Sequence, residues 1–203
     1  MRVGILGGGN VGTALGDGWT AKGHGVVYGS RSPEKESGGQ RTLTAIRDAI
    51  LRSEVVVLAV PWGTVQEVVS MNDFSGKVLI DCTNPITPGF ELAVGCTTSA
   101  GETVAGLAKG ARVVKAFNTT GFQNMREPKF GNTSLTMFYA GDDESAKETA
   151  RRLIGDIGFE PIDAGPLKNA RYLEPLAMLW INLSMKMGTD IALQLIQRNR
   201  MRP

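Results

Sequence analysis

The chain has 203 residues, of which 42% are hydrophobic and 21% charged, proportions typical of a folded globular protein. The length predicts one compact domain, with room for a small additional element. The 22 Lys and Arg residues nearly balance the 20 Asp and Glu residues, which argues against a nucleic-acid-binding protein. Two cysteines and one histidine are too few for a disulfide framework or a zinc cluster, so we expect no metal site and a reducing, cytoplasmic location. The longest apolar stretch, residues 176–187, is too short to span a bilayer, and we expect no membrane contact.

Short apolar runs alternate with helical patterns over most of the chain. The runs are continuous, as strands covered on both faces require. The predicted strands are residues 2–6, 25–29, 55–60, 78–81, 113–117, 135–140 and 159–163. The predicted helices between them are residues 11–22, 42–52, 64–71, 101–108 and 144–157. This alternation predicts an α/β fold with a Rossmann-type, doubly wound and mainly parallel sheet, which binds ligands at the carboxyl ends of its strands.

The last part of the chain, residues 166–203, is predicted to be a short helical element, with one long helix over 170–197. Apolar residues recur along it at helical spacing. The apolar stripe packs either on the sheet of its own domain or on a second copy of the chain, and both interpretations stay open.

A glycine-rich turn follows the first predicted strand. The sequence Gly-Gly-Gly-Asn-Val-Gly that begins at Gly7 fits G-x-G-x-x-G, and a predicted helix follows it at once. In this context Gly7 permits a tight turn, Gly9 lets the backbone approach a pyrophosphate, and Gly12 permits close contact between helix and strand. The amide groups near Asn10 and Val11, at the start of the helix, then face the negative charge. The motif predicts a dinucleotide site.

The second predicted strand ends without the acidic residue that would hold the ribose hydroxyls of NAD. It is followed instead by Ser30, Arg31, Ser32 and Lys35, which are hydrogen-bond donors. Such a cluster suits the 2′-phosphate of NADP, and Arg31 can also lie flat on the adenine. A solvated basic loop is the alternative. We predict NADP(H) as the cofactor, bound by a domain that spans residues 1–165.

Three further strand ends are expected around the nicotinamide. The residues assigned there are Ala59, Val60, Pro61, Asn84, Pro85 and Asn118. The prolines are rigid and form a flat wall against a ring, while the asparagines supply amide contacts. Ordinary loops use the same residue types, so this assignment is a hypothesis.

No side chain stands out as a proton donor beside the hydride path. His24 is expected at the surface, Lys115 is expected to extend its amine from a strand to solvent, and Asp81 and Cys82 are unsupported as acids. A flavin or deazaflavin ring accepts a hydride and is its own electron sink, so it requires no strong acid. The sequence therefore favours an acceptor of that kind, and no catalytic residue is assigned.

Five segments resemble the NADPH:coenzyme F420 oxidoreductases and the bacterial proteins similar to them: residues 4–12, 29–33, 81–85, 114–119 and 175–180. The resemblance runs nearly end to end. It implies hydride exchange between NADPH and a deazaflavin stacked on its nicotinamide, in a homodimer with C-terminal helices at the interface. It also implies that Ser30 and Arg31 contact the phosphate.

The resemblance departs at two positions, because archaeal members tend to carry histidine and a bulky aliphatic residue where this chain has Asn118 and Thr120. A plain flavin (FMN or FAD), a quinone or a metal complex therefore stays open as the acceptor. The leading prediction is an NADPH-dependent oxidoreductase that acts on a small-molecule, flavin-like hydride acceptor. The alternatives are a non-catalytic NADP(H)-binding redox sensor and a small imine or keto-acid reductase, which would need an acid such as Asp81 or Lys115.

Overall fold

The computed structural model describes residues 1–33 and 41–198, so Lys35 of the predicted donor cluster lies outside the described residues. The strands described are β1 (Arg2–Leu6), β2 (Gly25–Ser30), β3 (Leu43–Ala45), β4 (Val55–Leu58), β5 (Val78–Asp81), β6 (Arg112–Ala116), β7 (Lys129–Phe130), β8 (Thr133–Ser134), β9 (Thr136–Gly141) and β10 (Glu160–Asp163). The α-helices described are α1 (Asn10–Ala21), α2 (Ile46–Arg52), α3 (Trp62–Ser70), α4 (Ala100–Leu107), α5 (Phe122–Arg126), α6 (Glu144–Ile157) and α7 (Ala170–Met187).

One sheet of eight strands organises the molecule, in the order β10-β9-β6-β5-β4-β1-β2-β3. Neighbouring strands are parallel except β6 and β9, which are antiparallel. Strands β7 and β8 form a separate hairpin. Helices cover both faces of the sheet, so β4 and β5 are buried along their whole length and need no polar face. The predicted Rossmann-type, mainly parallel fold is confirmed.

The two faces have separate apolar cores. On one face α1 and α6 pack on the sheet, and Trp19 lies edge-on to Phe117 with ring centroids 5.7 Å apart. On the other face α2, α3 and α4 cover the strands with small and branched side chains, among them Ala49, Val65 and Val104. This arrangement leaves the carboxyl ends of β1, β2 and β4 open between the two layers.

Two predicted helices differ from the structure. Residues 42–52, predicted as one helix, form the short edge strand β3 followed by α2. The helix predicted over 170–197 ends at Met187, because Gly188 has φ of 84° and turns the chain. The following segment folds back, and the indole of Trp180 donates to the carbonyl of Ile191 at 3.0 Å.

One side of α7 packs on the rest of the chain through Leu173, Ala177 and Trp180, which are buried. On other sides of the helix Leu179 and Met187 are exposed. The structure thus shows packing within the same chain for part of the apolar surface, and the dimer contact stays a prediction. Within residues 1–33 and 41–198, no helix is both long enough and apolar enough to cross a membrane.

Candidate cofactor site

The turn between β1 and α1 has the shape that its glycines predict. Gly7 has φ of 113°, and a β-carbon there would overlap the carbonyl of Ala59. A β-carbon on Gly12 would overlap the carbonyl oxygen of Gly7. A β-carbon on Gly8 or Gly9, in contrast, would meet no atom within 4 Å. The backbone is therefore bare on the outer side of the turn, where a ligand can approach closely.

Helix α1 begins at this turn without a side-chain cap on its first amide groups. A helix N-terminus carries partial positive charge and binds phosphate groups. The hydroxyl of Thr13 donates to the carbonyl of Gly8 at 3.2 Å and so connects α1 to the turn. The bare turn and the uncapped helix end fit the pyrophosphate of a dinucleotide.

A cavity of about 520 Å³ opens over this turn at the carboxyl ends of β1, β2 and β4. A volume of this order is typical of small-molecule sites. Eight of the predicted cofactor residues line it: Gly7, Gly9, Ser30, Arg31, Ser32, Ala59, Val60 and Pro61. The structure thus brings the phosphate-binding and ribose-binding candidates together with the end of β4 around one space.

The other predicted residues that the structure describes do not line this cavity. Asn10, Val11 and Gly12 form the first turn of α1 beneath the glycine turn. Asn84, Pro85 and Asn118 lie beyond it, after the neighbouring strands β5 and β6 and on the same edge of the sheet.

Several cavity residues were missed by sequence reasoning: Leu6, Gly8, Tyr28, Gly29, Leu43, Ile46, Thr64 and Val68. Leu43 and Ile46 belong to β3 and the start of α2, where one continuous helix was expected, so no strand end was placed there. Thr64 follows the end of β4 by only a few residues. Because ligands bind at the carboxyl ends of the strands, this position could have predicted Thr64 from the sequence. Tyr28 is nearly buried, and its burial raises the pKa of its phenol.

The donor cluster at the end of β2 is partly ordered by its own contacts. The Oγ atom of Ser30 accepts from the backbone N–H of Ser32 at 3.0 Å, which leaves the hydroxyl hydrogen of Ser30 for another partner. Arg31 is exposed at the mouth of the cavity. A guanidinium and a hydroxyl at this place suit a phosphate on the ribose.

None of the four candidate proton donors, His24, Asp81, Cys82 and Lys115, lines the cavity. Asp81 and Lys115 are both completely buried and are bound to each other at 2.9 Å, so the expected exposure of the Lys115 amine is wrong. Burial and the charge of Asp81 raise the pKa of the Cys82 thiol, which keeps it protonated. The expected surface position of His24 is also wrong, because its ring is 9% exposed and lies 2.9 Å from the carboxylate of Asp156.

Two asparagine amides join the ends of β5 and β6. The side chain of Asn84 donates to the backbone carbonyl of Asn118 at 2.8 Å, and the side chain of Asn118 donates back to Oδ1 of Asn84 at 3.0 Å. Asn118 is buried, and its own Oδ1 has no protein partner among the described residues. Asn84 remains partly exposed.

A doubly wound sheet with a bare glycine turn, an uncapped helix end and a cavity at the strand ends defines a Rossmann-type dinucleotide-binding protein. Comparison with known proteins narrows this class. The family model described as NADP oxidoreductase, coenzyme F420-dependent, matches residues 2–85. The F420-dependent NADP reductase of Methanothermobacter marburgensis is 32% identical over 219 residues, which cover 92% of this chain and 93% of that protein. The chain belongs to this family of NADP-dependent oxidoreductases.

Two further proteins show the range of the similarity. The metalloreductase STEAP3 of Rattus norvegicus is 31% identical over 199 residues, covering 96% of this chain, and the chain spans only 40% of the length of that protein. A crystal structure of a putative F420-dependent NADP reductase from Arthrobacter sp. FB24 superposes with a TM-score of 0.85 at 25% identity, covering 97% of this chain and all of that one.

Proposed function

We propose that this chain transfers a hydride between NADP(H) and a flavin-like acceptor, either the deazaflavin coenzyme F420 or a plain flavin such as FMN or FAD. One observation supports it above the others. Among the described residues that line the cavity, only Tyr28 and Arg31 are ionisable, and burial raises the pKa of the Tyr28 phenol, which makes it a weaker acid. A site of this kind can bind and orient two rings, whereas it offers no carboxyl, imidazole or ammonium group to protonate an alcohol or imine product.

The residues of the chain divide the binding task between the two ends of the cavity. At one end the glycine turn and the α1 amides hold the pyrophosphate, while Ser30 and Arg31 hold the 2′-phosphate. At the other end Val60 and Pro61 present apolar surface to the nicotinamide and exclude water from it. The bound NADPH supplies the hydride, and water supplies the proton that completes the reduction of the acceptor. Positioning of the two rings is then the main contribution of the protein.

A second candidate for the acceptor is a metal complex that is reduced by NADPH. The similarity to a metalloreductase over 96% of this chain favours it. The alternative of an imine or keto-acid reductase is disfavoured by its candidate proton donors, since Asp81 and Lys115 are fully buried and bonded to each other.

The assembly and location belong to the same proposal. Leu179, Met185 and Met187 leave apolar surface exposed on α7, which supports a homodimer with this helix at the interface. Both cysteines are unpaired, in keeping with the reducing cytoplasm.

Anaerobic oxidation of NADPH tests the proposal, with F420, FMN, FAD and a ferric chelate offered separately. Turnover with a deazaflavin or flavin supports the proposed function, and turnover with the ferric chelate alone supports the second candidate. Tight NADPH binding without reduction of any acceptor contradicts both and favours the redox sensor. NADH in place of NADPH provides the control for cofactor choice.

A further inference from the structure

A cluster of three charged side chains is buried at the carboxyl ends of β5 and β6. The ammonium of Lys115 donates to Asp81 Oδ2 at 2.9 Å and to the carbonyl of Thr83 at 2.6 Å, and it lies 2.9 Å from Glu174 Oε1. Lys115 and Asp81 are 0% exposed and Glu174 is 1% exposed. We name Lys115, Asp81 and Glu174 the buried charge cluster.

All the polar atoms of this cluster have partners. Glu174, on α7, accepts from the backbone amides of Ala100 at 2.8 Å and Gly101 at 3.0 Å, which are the first residues of α4. Its carboxylate therefore lies at a helix N-terminus, which favours negative charge. The cluster joins β5, β6, α4 and α7 at one point.

Stability alone does not account for such a cluster. Three charges removed from water carry a large desolvation penalty, and well-packed apolar residues of similar size are often as stabilising or more so. What charged groups add is direction, because their hydrogen bonds fix the atoms around them. The neighbours fixed here are Thr83, which precedes Asn84, and Leu173, whose carbonyl binds Asn118.

The first connection runs through Thr83 to Asn84. Asp81 Oδ1 accepts from the backbone amide of Thr83 at 2.9 Å and from the Thr83 hydroxyl at 2.7 Å. The backbone carbonyl of Thr83 accepts from the ammonium of Lys115. Thr83 is thus held at three atoms. The backbone of Asn84, the next residue, starts from a fixed position.

The second connection runs through α7 to Asn118. Glu174 docks the helix, and the carbonyl of the preceding residue, Leu173, accepts from the Asn118 amide at 3.1 Å. Asn118 in turn binds both ends of the Asn84 amide. Phe117, just before it, has φ of 60°, which is unfavourable for a bulky residue. Backbone strain and the unpartnered Oδ1 of Asn118 are both costs, and such costs cluster at functional sites.

The result is one amide with a fixed orientation and unused capacity. Asn84 has two N–H groups and two oxygen lone pairs, and its contacts with Asn118 use one of each. Asn84 is partly exposed. Asp81 pairs with Leu58 of the neighbouring strand β4. Asn84 follows Asp81 by three residues, just as the cavity residue Pro61 follows Leu58 by three residues. A free N–H beside a free carbonyl oxygen complements a carboxamide or a cyclic imide.

We propose that the buried charge cluster is a positioning device that orients Asn84, and that Asn84 recognises an amide group of a ring bound at the strand ends. This amide is either the carboxamide of the nicotinamide or the imide edge of the acceptor. The inference rests on the proposed function only for the acceptor, since the nicotinamide arm concerns NADPH binding alone. Asn84 is the contact residue, and Lys115, Asp81, Glu174 and Thr83 act through it.

The sharpest variant is Thr83→Val, which removes the hydroxyl bond to Asp81 and leaves the charges and the side-chain volume in place. Thr83→Ser keeps that bond and is the conservative rescue. Ser53→Ala is the matched control, because the Ser53 hydroxyl is also buried and bonded, at 2.7 Å to the carbonyl of Ala49, but precedes β4 at the opposite edge of the sheet.

Two readouts separate the sources of the amide. Fluorescence lifetime of bound NADPH, without acceptor, reports the mobility of the nicotinamide. Single-turnover hydride transfer and the acceptor KM report the placement of the acceptor. We expect Thr83→Val and Asn84→Ala to lower the hydride-transfer rate about tenfold or more, since small misplacements of reacting atoms can cost up to about 100-fold, with the NADPH Kd within about twofold. Thr83→Ser and Ser53→Ala should behave as wild type.

Non-additivity completes the test. If the cluster acts through Asn84, adding Asn84→Ala to Thr83→Val should cause little further loss.

A changed NADPH lifetime assigns the amide to the nicotinamide, and an unchanged lifetime with a raised acceptor KM assigns it to the acceptor. Wild-type lifetimes and wild-type acceptor kinetics in both variants, or fully additive losses, overturn the inference. If the wild-type chain reduces no acceptor, the proposed function fails, whereas the lifetime measurement still decides the inference: an unchanged lifetime then overturns it.

Discussion

Gly12 lies directly against the carbonyl oxygen of Gly7, so closely that a β-carbon at Gly12 would overlap that oxygen. The contact packs the first turn of α1 tightly against the glycine turn. The two glycines therefore serve packing, while Gly9, with open space beside it, serves access. Each role predicts a different effect of adding one methyl group.

Gly12→Ala is expected to destabilise the protein, because overpacking costs about 1–3 kcal/mol. Gly9→Ala is the matched variant, and at φ of −73° an alanine fits there without strain. It should leave the unfolding temperature nearly unchanged and weaken NADPH binding. Thermal unfolding without cofactor and titration with NADPH separate the two effects. An unchanged NADPH Kd in Gly9→Ala would contradict a pyrophosphate at this turn.

Arg31→Ala is expected to reduce the preference for NADPH over NADH. A hydrogen bond to a charged group contributes about 1.5–3 kcal/mol, so the NADPH Kd should rise roughly 10- to 150-fold while the NADH Kd stays the same. Arg52→Ala, which removes an exposed guanidinium at the far end of α2, is the control. Equal discrimination by Arg31→Ala and wild type would remove the 2′-phosphate from this cluster.

Phe90→Gly is expected to stabilise the free protein, although it deletes a large side chain. Phe90 is 57% exposed and has φ of 58°, a conformation that carries a steric cost for a bulky residue and none for glycine. The gain measured by chemical denaturation should be about 0.5–1 kcal/mol, because the steric cost of Phe90 exceeds the extra chain entropy that glycine loses on folding. Phe130→Gly, at an exposed strand position, should instead lose about that amount. A loss of stability in both variants would show that the Phe90 ring makes a contact worth more than the strain.

The ion pair between Glu102 and Arg171 predicts a pH dependence of stability. The guanidinium donates to both carboxylate oxygens, at 2.8 and 2.6 Å, and this hydrogen bonding holds the pKa of Glu102 below its usual value of 4.5. Because the folded pKa is lowered, the pair stabilises the protein above pH about 4.5 and its contribution disappears as the pH falls through the lowered pKa.

Glu102→Gln should therefore unfold at a lower temperature than wild type at pH 7, and the difference should shrink towards zero in acid. Thermal unfolding across a pH series measures this difference. Glu67→Gln, on the exposed side of α3, controls for the loss of a carboxylate. A difference that stays constant into acid would show that the ion pair does not contribute.

Local sequence signals predicted much of this fold. Strand β1 and helix α6 have the bounds that the sequence indicates, and the reasons are visible in it. The Asp143 side chain caps α6 at its first turn, and Gly158, with φ of 111°, ends it. The glycine turn was equally predictable, because Gly7 adopts a positive φ and Gly12 has no room for a β-carbon.

The misses depended on contacts between distant parts of the chain. Leu43 pairs with Tyr28 at the edge of the sheet, and a strand of three residues is too short to show a period of its own. Lys115 looked like a strand residue with a solvated amine because its partner Glu174 lies 59 positions later, on a helix whose docking no local pattern reveals. The hydrogen bonds between Asn84 and Asn118 were missed for the same reason, because the two residues lie 34 positions apart in the sequence.

Anaerobic mixing of the protein and NADPH with F420 and with FMN, followed through the loss of NADPH absorbance, tests the central claim most directly. We predict stoichiometric oxidation of NADPH by at least one of the two rings, much faster than in the absence of protein. Tight NADPH binding with no oxidation by either ring would contradict the account.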